Sequence, residues 1–73
     1  MLNVTEFKIE MIKHADTQKT VAQVMKVTPQ TVGDKLHGLA EFKRKEIEAL
    51  VAHWKLSGDR TLEIFFDLKS DAV

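Results

Sequence analysis

The chain has no cysteine, a single proline and only three glycines among its 73 residues. Without cysteine there is no disulfide framework and no thiolate metal site, and the expected setting is reducing and cytoplasmic. So little Pro and Gly argues for a helical domain with few irregular loops. No apolar run approaches the roughly 18 residues that cross a bilayer. The start, Met1-Leu2-Asn3-Val4-Thr5-Glu6, lacks the basic segment and apolar run of a secretory signal. No membrane partner is expected, and the protein is read as soluble. Net charge is zero, which by itself names no polyanionic partner. His14, His37 and His53 are not spaced at i, i+3 or i+4, so no metal site is expected. We find no nucleophile–base arrangement, Gly-rich phosphate loop or carboxylate pair with a cleft around it. No enzyme, cofactor or small-molecule substrate is expected.

What remains is ordinary globular composition, with 44% hydrophobic and 30% charged residues, in a length that makes one domain, residues 1–73, near the lower limit for an unstapled core. The charge is unevenly placed. From Lys13 to Lys45 there are seven basic residues against three acidic ones, Asp16, Asp34 and Glu41, so the middle is net +4 and the remainder −4. A polyanion-facing middle fits this asymmetry; so does a solvated mixed face.

Apolar spacing predicts helices nearly throughout. The first covers about 5–14, with Thr5 as N-cap and Ile9 and Ile12 sharing a face. A second, capped by Asp16 or Thr17, carries Val21, Val24 and Met25 at i, i+3 and i+4. Thr28-Pro29 is the strongest start signal, because a Thr hydroxyl accepts an orphan N–H and Pro fits the first helical position. The third helix runs to about His37, with Val32 and Leu36 as its stripe, Gly33 in its interior and Gly38 as its stop. The fourth spans about 42–55, with Ile47, Leu50, Val51 and Trp54 buried. Lys43-Arg44-Lys45 stand at its start, where cations oppose the helix dipole. The tail "TLEIFFDLK" alternates like a strand yet also fits a helical face. We read a short helix over about 60–65, with Asp59 as a possible cap, and then an extended end.

Two short helices joined by a tight turn form a helix-turn-helix, in which the first braces the second and the second enters the DNA major groove. A reading face must be small and polar, which suits Thr28-Pro29-Gln30-Thr31. At Gln18, Ala22, Val32 and Gly38 the chain resembles the Cro/CI repressor-like helix-turn-helix family of phage and bacterial regulators. The stretch "FKRKEIEALVAHWKL" followed by "IFFDLK" is similar to the end of small phage-encoded Cro-like proteins. Two positions depart from the family pattern: Lys26 stands where the turn usually has Gly, and Leu36 where a polar residue is common.

The resemblance implies an all-α, four- to five-helix lambda-repressor-like domain with a short aromatic tail, in a bacterial or phage-infected cell. It implies a sequence-specific regulator that binds a double-stranded DNA operator as a homodimer. Carried across by position, Pro29, Gln30, Thr31, Asp34 and Lys35 would face bases, and Gln18, Lys19, Thr28, Lys43 and Arg44 would meet phosphates. A Gln pairs bidentately with adenine, a Thr methyl touches the thymine methyl, and Asp accepts from cytosine. The apolar tail residues Leu62, Ile64, Phe65, Phe66 and Leu68 are the expected dimer element; alternatively they close the core over the first helix. A protein–protein interaction module, such as a small antirepressor that keeps the fold, is the second reading.

Overall fold

The computed structural model describes residues 2–66. These form five helices and no strand: α1 Val4–Lys13, α2 Gln18–Met25, α3 Pro29–Leu36, α4 Arg44–Trp54 and α5 Gly58–Phe65. Helix α2 packs on α3 and α4, and α1 packs on α5. Among the described residues, no helix is long and apolar enough to cross a membrane.

The corners explain how so short a chain turns so often. After each of α1 to α4 one residue takes the left-handed conformation: Ala15, Lys26, Gly38 and Lys55, with φ of 56°, 60°, 80° and 55°. The next backbone N–H then reaches back five residues. Asp16 donates to Met11 O (2.8 Å), Val27 to Ala22 O (3.0 Å), Leu39 to Asp34 O (2.9 Å) and Leu56 to Val51 O (3.0 Å). Carbonyls orphaned at the helix ends are thereby satisfied. At three of the four corners a Thr or Ser follows at once and caps the next helix. Thr17 accepts from Thr20 N, Thr28 from Thr31 N and Ser57 from Arg60 N. A left-handed non-glycine costs about 1 kcal/mol, so three of these corners are bought at some strain.

Several expectations change. Asn3, not Thr5, caps α1, its Oδ1 accepting from Glu6 N at 3.1 Å, and its own N–H donates to Ile64 O at 2.7 Å. The inward face of α1 carries Phe7 and Glu10; Ile9 is 38% and Ile12 79% exposed. Glu10 turns inward because Arg60 of α5 meets it, Nε to Oε2 at 2.8 Å, while Arg60 Nη1 also holds Glu6 at 2.6 Å. Burial alone would push the Glu10 carboxyl up; the Arg60 and Lys13 donors outweigh it and hold it below the usual carboxylate range. Helix α4 begins at Arg44 rather than near Phe42, and Ser57 rather than Asp59 caps α5.

The core is one cluster drawn from all five helices: Phe7, Val21, Ala22, Met25, Val32, Leu36, Leu50, Trp54, Ile64 and Phe65. Phe7 lies at its centre, with ring centroids 5.1 Å from Trp54, 5.3 Å from Phe42 and 6.0 Å from Phe65. The Trp54 and Phe65 contacts are edge-on, a geometry worth about 0.5–1.5 kcal/mol per pair beyond area burial. The aromatic end of the chain is thus helical and internal up to Phe65. Ile64 and Phe65 are 0% and 5% exposed, so they close the core and are not available as a dimer surface. Leu62 and Phe66 remain outside; Leu68 lies outside the described residues.

Candidate nucleic-acid interface

The starts of α2 and α3 lie side by side. Gln18 opens α2, and its Nε2 donates to the carbonyl of Pro29, the first residue of α3, at 3.3 Å. Gly33, one turn along α3, makes room for this: a Cβ there would come within 3.1 Å of Gln18 Nε2. The glycine in the helix interior therefore serves a close approach between the two helices.

The ground beneath Gln18 is fixed by Asp16. Its Oδ2 accepts from Trp54 Nε1 at 2.7 Å and contacts His53 Nε2 at 3.0 Å, and its Oδ1 accepts from Thr20 Oγ1 at 2.7 Å. Burial would raise the Asp16 carboxyl, but the Thr20, Trp54 and His53 hydrogen bonds outweigh it and hold it low. The beginning of α2 is in this way tied to the end of α4.

On α3, Val32, Lys35 and Leu36 face inward. Pro29 and Gln30 are exposed, and Thr31 and Asp34 are half-buried on the flank. The Thr31 hydroxyl is engaged with Thr28 Oγ1 at 2.9 Å, and Thr28 Oγ1 also accepts from Thr31 N at 3.2 Å. Thr28 thus acts first as a cap. Gln18 and Lys19 are exposed at the start of α2, and Lys43 and Arg44 at the start of α4. Arg44 pairs with Glu48 at 3.1 Å, both side chains well exposed, an arrangement that contributes little.

Lys35 is the clear correction. It is 5% exposed; its Nζ lies 2.9 Å from Glu46 Oε1 and 2.7 Å from the Glu41 carbonyl, and sits over the Phe42 ring at 5.7 Å. A side chain so held does not reach a base edge. Instead Lys35 ties α3 to the 37–43 connection and to α4. Glu46 completes the tie by accepting from Lys43 N at 2.8 Å. Burial would raise its carboxyl, but the Lys43 and Lys35 donors hold it low. Sequence reasoning missed Asp16 and Glu46 as supports of this face, whereas Gly33 stood out as an interior glycine that either serves a close approach or is merely tolerated. Glu46 left a trace, three residues after Lys43, where a carboxylate reaches back to a helix's first N–H.

Among the described residues, no group of three or more His, Asp and Glu is placed to hold a metal ion. No family model matches the chain. Neither a curated protein nor a solved structure matches it.

Proposed function

We propose that the protein is a sequence-specific double-stranded DNA-binding regulator of the helix-turn-helix type. Helix α3 enters the major groove, where Pro29, Gln30, Thr31 and Asp34 face base edges. Gln18, Lys19, Lys43 and Arg44 meet the flanking phosphates and set the register. The observation that carries this reading is the Gln18–Pro29 bond over Gly33. It sets two helix N-termini in one surface, with Pro29 and Gln30 outward and the apolar residues of α3 inward. Helix N-termini and cations favour anions, and the exposed side chains between them are small and polar.

One short helix reads few base pairs, so the regulator works as a homodimer on two half-sites about 34 Å apart. The apolar surface left on α5 and at its C-cap, Leu62 and Phe66, forms the contact between protomers. Enrichment of duplexes from a randomised pool, followed by titration across a salt series, tests the reading. Three cations per protomer (Lys19, Lys43 and Arg44) make about six phosphate contacts in the dimer. Affinity then falls about a thousandfold between 50 and 200 mM salt. Gln30→Ala relaxes the choice at particular base pairs, whereas Lys43→Ala weakens all duplexes alike. A pool that yields no preferred duplex, or binding indifferent to salt, refutes the reading.

A further inference from the structure

Between the C-terminal end of α2 and the first turns of α4 lies an open cleft of about 720 Å3. Val24, Val27 and Ala49 give it an apolar floor. Its rim is basic and drawn from two parts of the chain, Lys26 from the α2–α3 corner and Lys43, Arg44 and Lys45 from the start of α4. The one carboxylate in the lining, Glu46, is already engaged by Lys35 Nζ and Lys43 N. Among the described residues, Lys26 and Lys45 have no ion-pair partner, and Arg44 has only the exposed Glu48. Three cations around the first turn of α4 stand against its dipole, an arrangement that an external anion relieves. Phosphates alone would use the rim and leave the apolar floor wet. An occupant that satisfies both carries carboxylates beside large apolar side chains.

We propose that this cleft docks an acidic amphipathic segment of a partner protein, its apolar side chains on Val24, Val27 and Ala49 and its Asp or Glu residues on the lysine rim. One consequence rests on the DNA-binding reading: Lys43 and Arg44 are shared, so partner and DNA exclude each other, and the partner acts as a release factor.

The test uses the full chain, isotopically labelled, titrated with a synthetic helical peptide. The peptide carries Leu and Phe at i, i+3, i+4 and i+7 and Asp or Glu elsewhere. Amide shifts are expected at residues 24–27 and 43–49, and a scrambled peptide of equal charge binds at least about tenfold more weakly. Lys26→Glu and Lys45→Glu each weaken the peptide about tenfold, since like charges then meet at the rim. Lys45→Glu also places an anion in the first turn of α4, which the dipole favours, so the fold is retained. Shifts elsewhere, equal binding of the scrambled peptide, or indifference to both substitutions overturn the proposal. So does a cleft that responds to duplex DNA and not to the peptide. A protein that takes the peptide in the cleft but no duplex leaves the docking site standing and removes the DNA reading alone.

Discussion

Replacing Gly33 by alanine separates what this position does for folding from what it does for the surface. In a helix interior, Gly→Ala gains about 0.5–1 kcal/mol. Against this stands the new Cβ, 3.1 Å from Gln18 Nε2, tighter than an ordinary contact. The atom it meets is the far end of a flexible, exposed side chain, so the carboxamide swings aside. Its bond to the Pro29 carbonyl, 3.3 Å long and exposed, is worth about 0.5 kcal/mol at most. The net change is neutral to about 0.5 kcal/mol stabilising, which thermal unfolding reads as a rise of no more than about 4 °C. DNA binding moves the other way. On the proposed DNA-binding reading, the displaced carboxamide no longer reaches the phosphate assigned to it, and affinity falls about fivefold, near 1 kcal/mol. Gln18→Ala reproduces that loss, and Gly33→Ala adds nothing further in that background, a coupling that a double-mutant cycle measures. A Gly33→Ala protein destabilised by more than 1 kcal/mol, or an equal affinity loss with and without Gln18, refutes the reasoning.

Lys35→Ala leaves Glu46, 8% exposed, without its cation and costs about 3 kcal/mol in urea unfolding, although Lys35 carries a charge that would ordinarily be assigned to the surface. Lys26→Gly relieves a left-handed lysine and is stabilising by about 0.5–1 kcal/mol in the same assay. Ile64→Ala costs about 3 kcal/mol, whereas Phe66→Ala, at a 47% exposed position, leaves monomer folding nearly unchanged and, on the proposed homodimer, weakens self-association in sedimentation. The carboxyls of Glu10, Asp16 and Glu46 are all held below their ordinary values of 4.5, 3.8 and 4.5. Folded pKa values depressed in this way add stability that is fully present above the unfolded values. This contribution is therefore lost only as pH falls below the ordinary carboxylate values and on through the lower folded ones, which acid titrations followed by circular dichroism read.

Helices α2 and α3 were legible because their starts are chemical signals: Thr17 and Thr28-Pro29 say where orphan N–H groups are met. Their stripes follow from simple spacing at Val21, Met25, Val32 and Leu36. The inward face of α1 was misread because Glu10 owes its burial to Arg60, fifty positions away, and no local pattern announces such a partner. Lys35 was misassigned for the same reason, since its anion sits on another helix. In the tail, Leu62, Ile64 and Phe66 alternate like a strand while Leu62, Phe65 and Phe66 fit one helical face; Ser57 as cap and the packing of Ile64 and Phe65 decide for the helix. The corners after α1 and α4 were hidden because Ala15 and Lys55 do glycine's work without being glycine, whereas the corner after α2 was marked by the resemblance, with Lys26 in glycine's place.

The hydrogen bond from the Trp54 indole to Asp16 gives the chain an optical property. Trp54 is the sole tryptophan, and its ring is 3% exposed, stacked edge-on with Phe7. Its emission therefore reports a closure between segments 38 positions apart, not the winding of α4 around it. In a stopped-flow refolding experiment, helix winding completes within about a microsecond and leaves the fluorescence unchanged. The signal arrives when the end of α4 meets Phe7 of α1 and Asp16 before α2, so one native fluorophore, without any label, times the assembly of the tertiary structure.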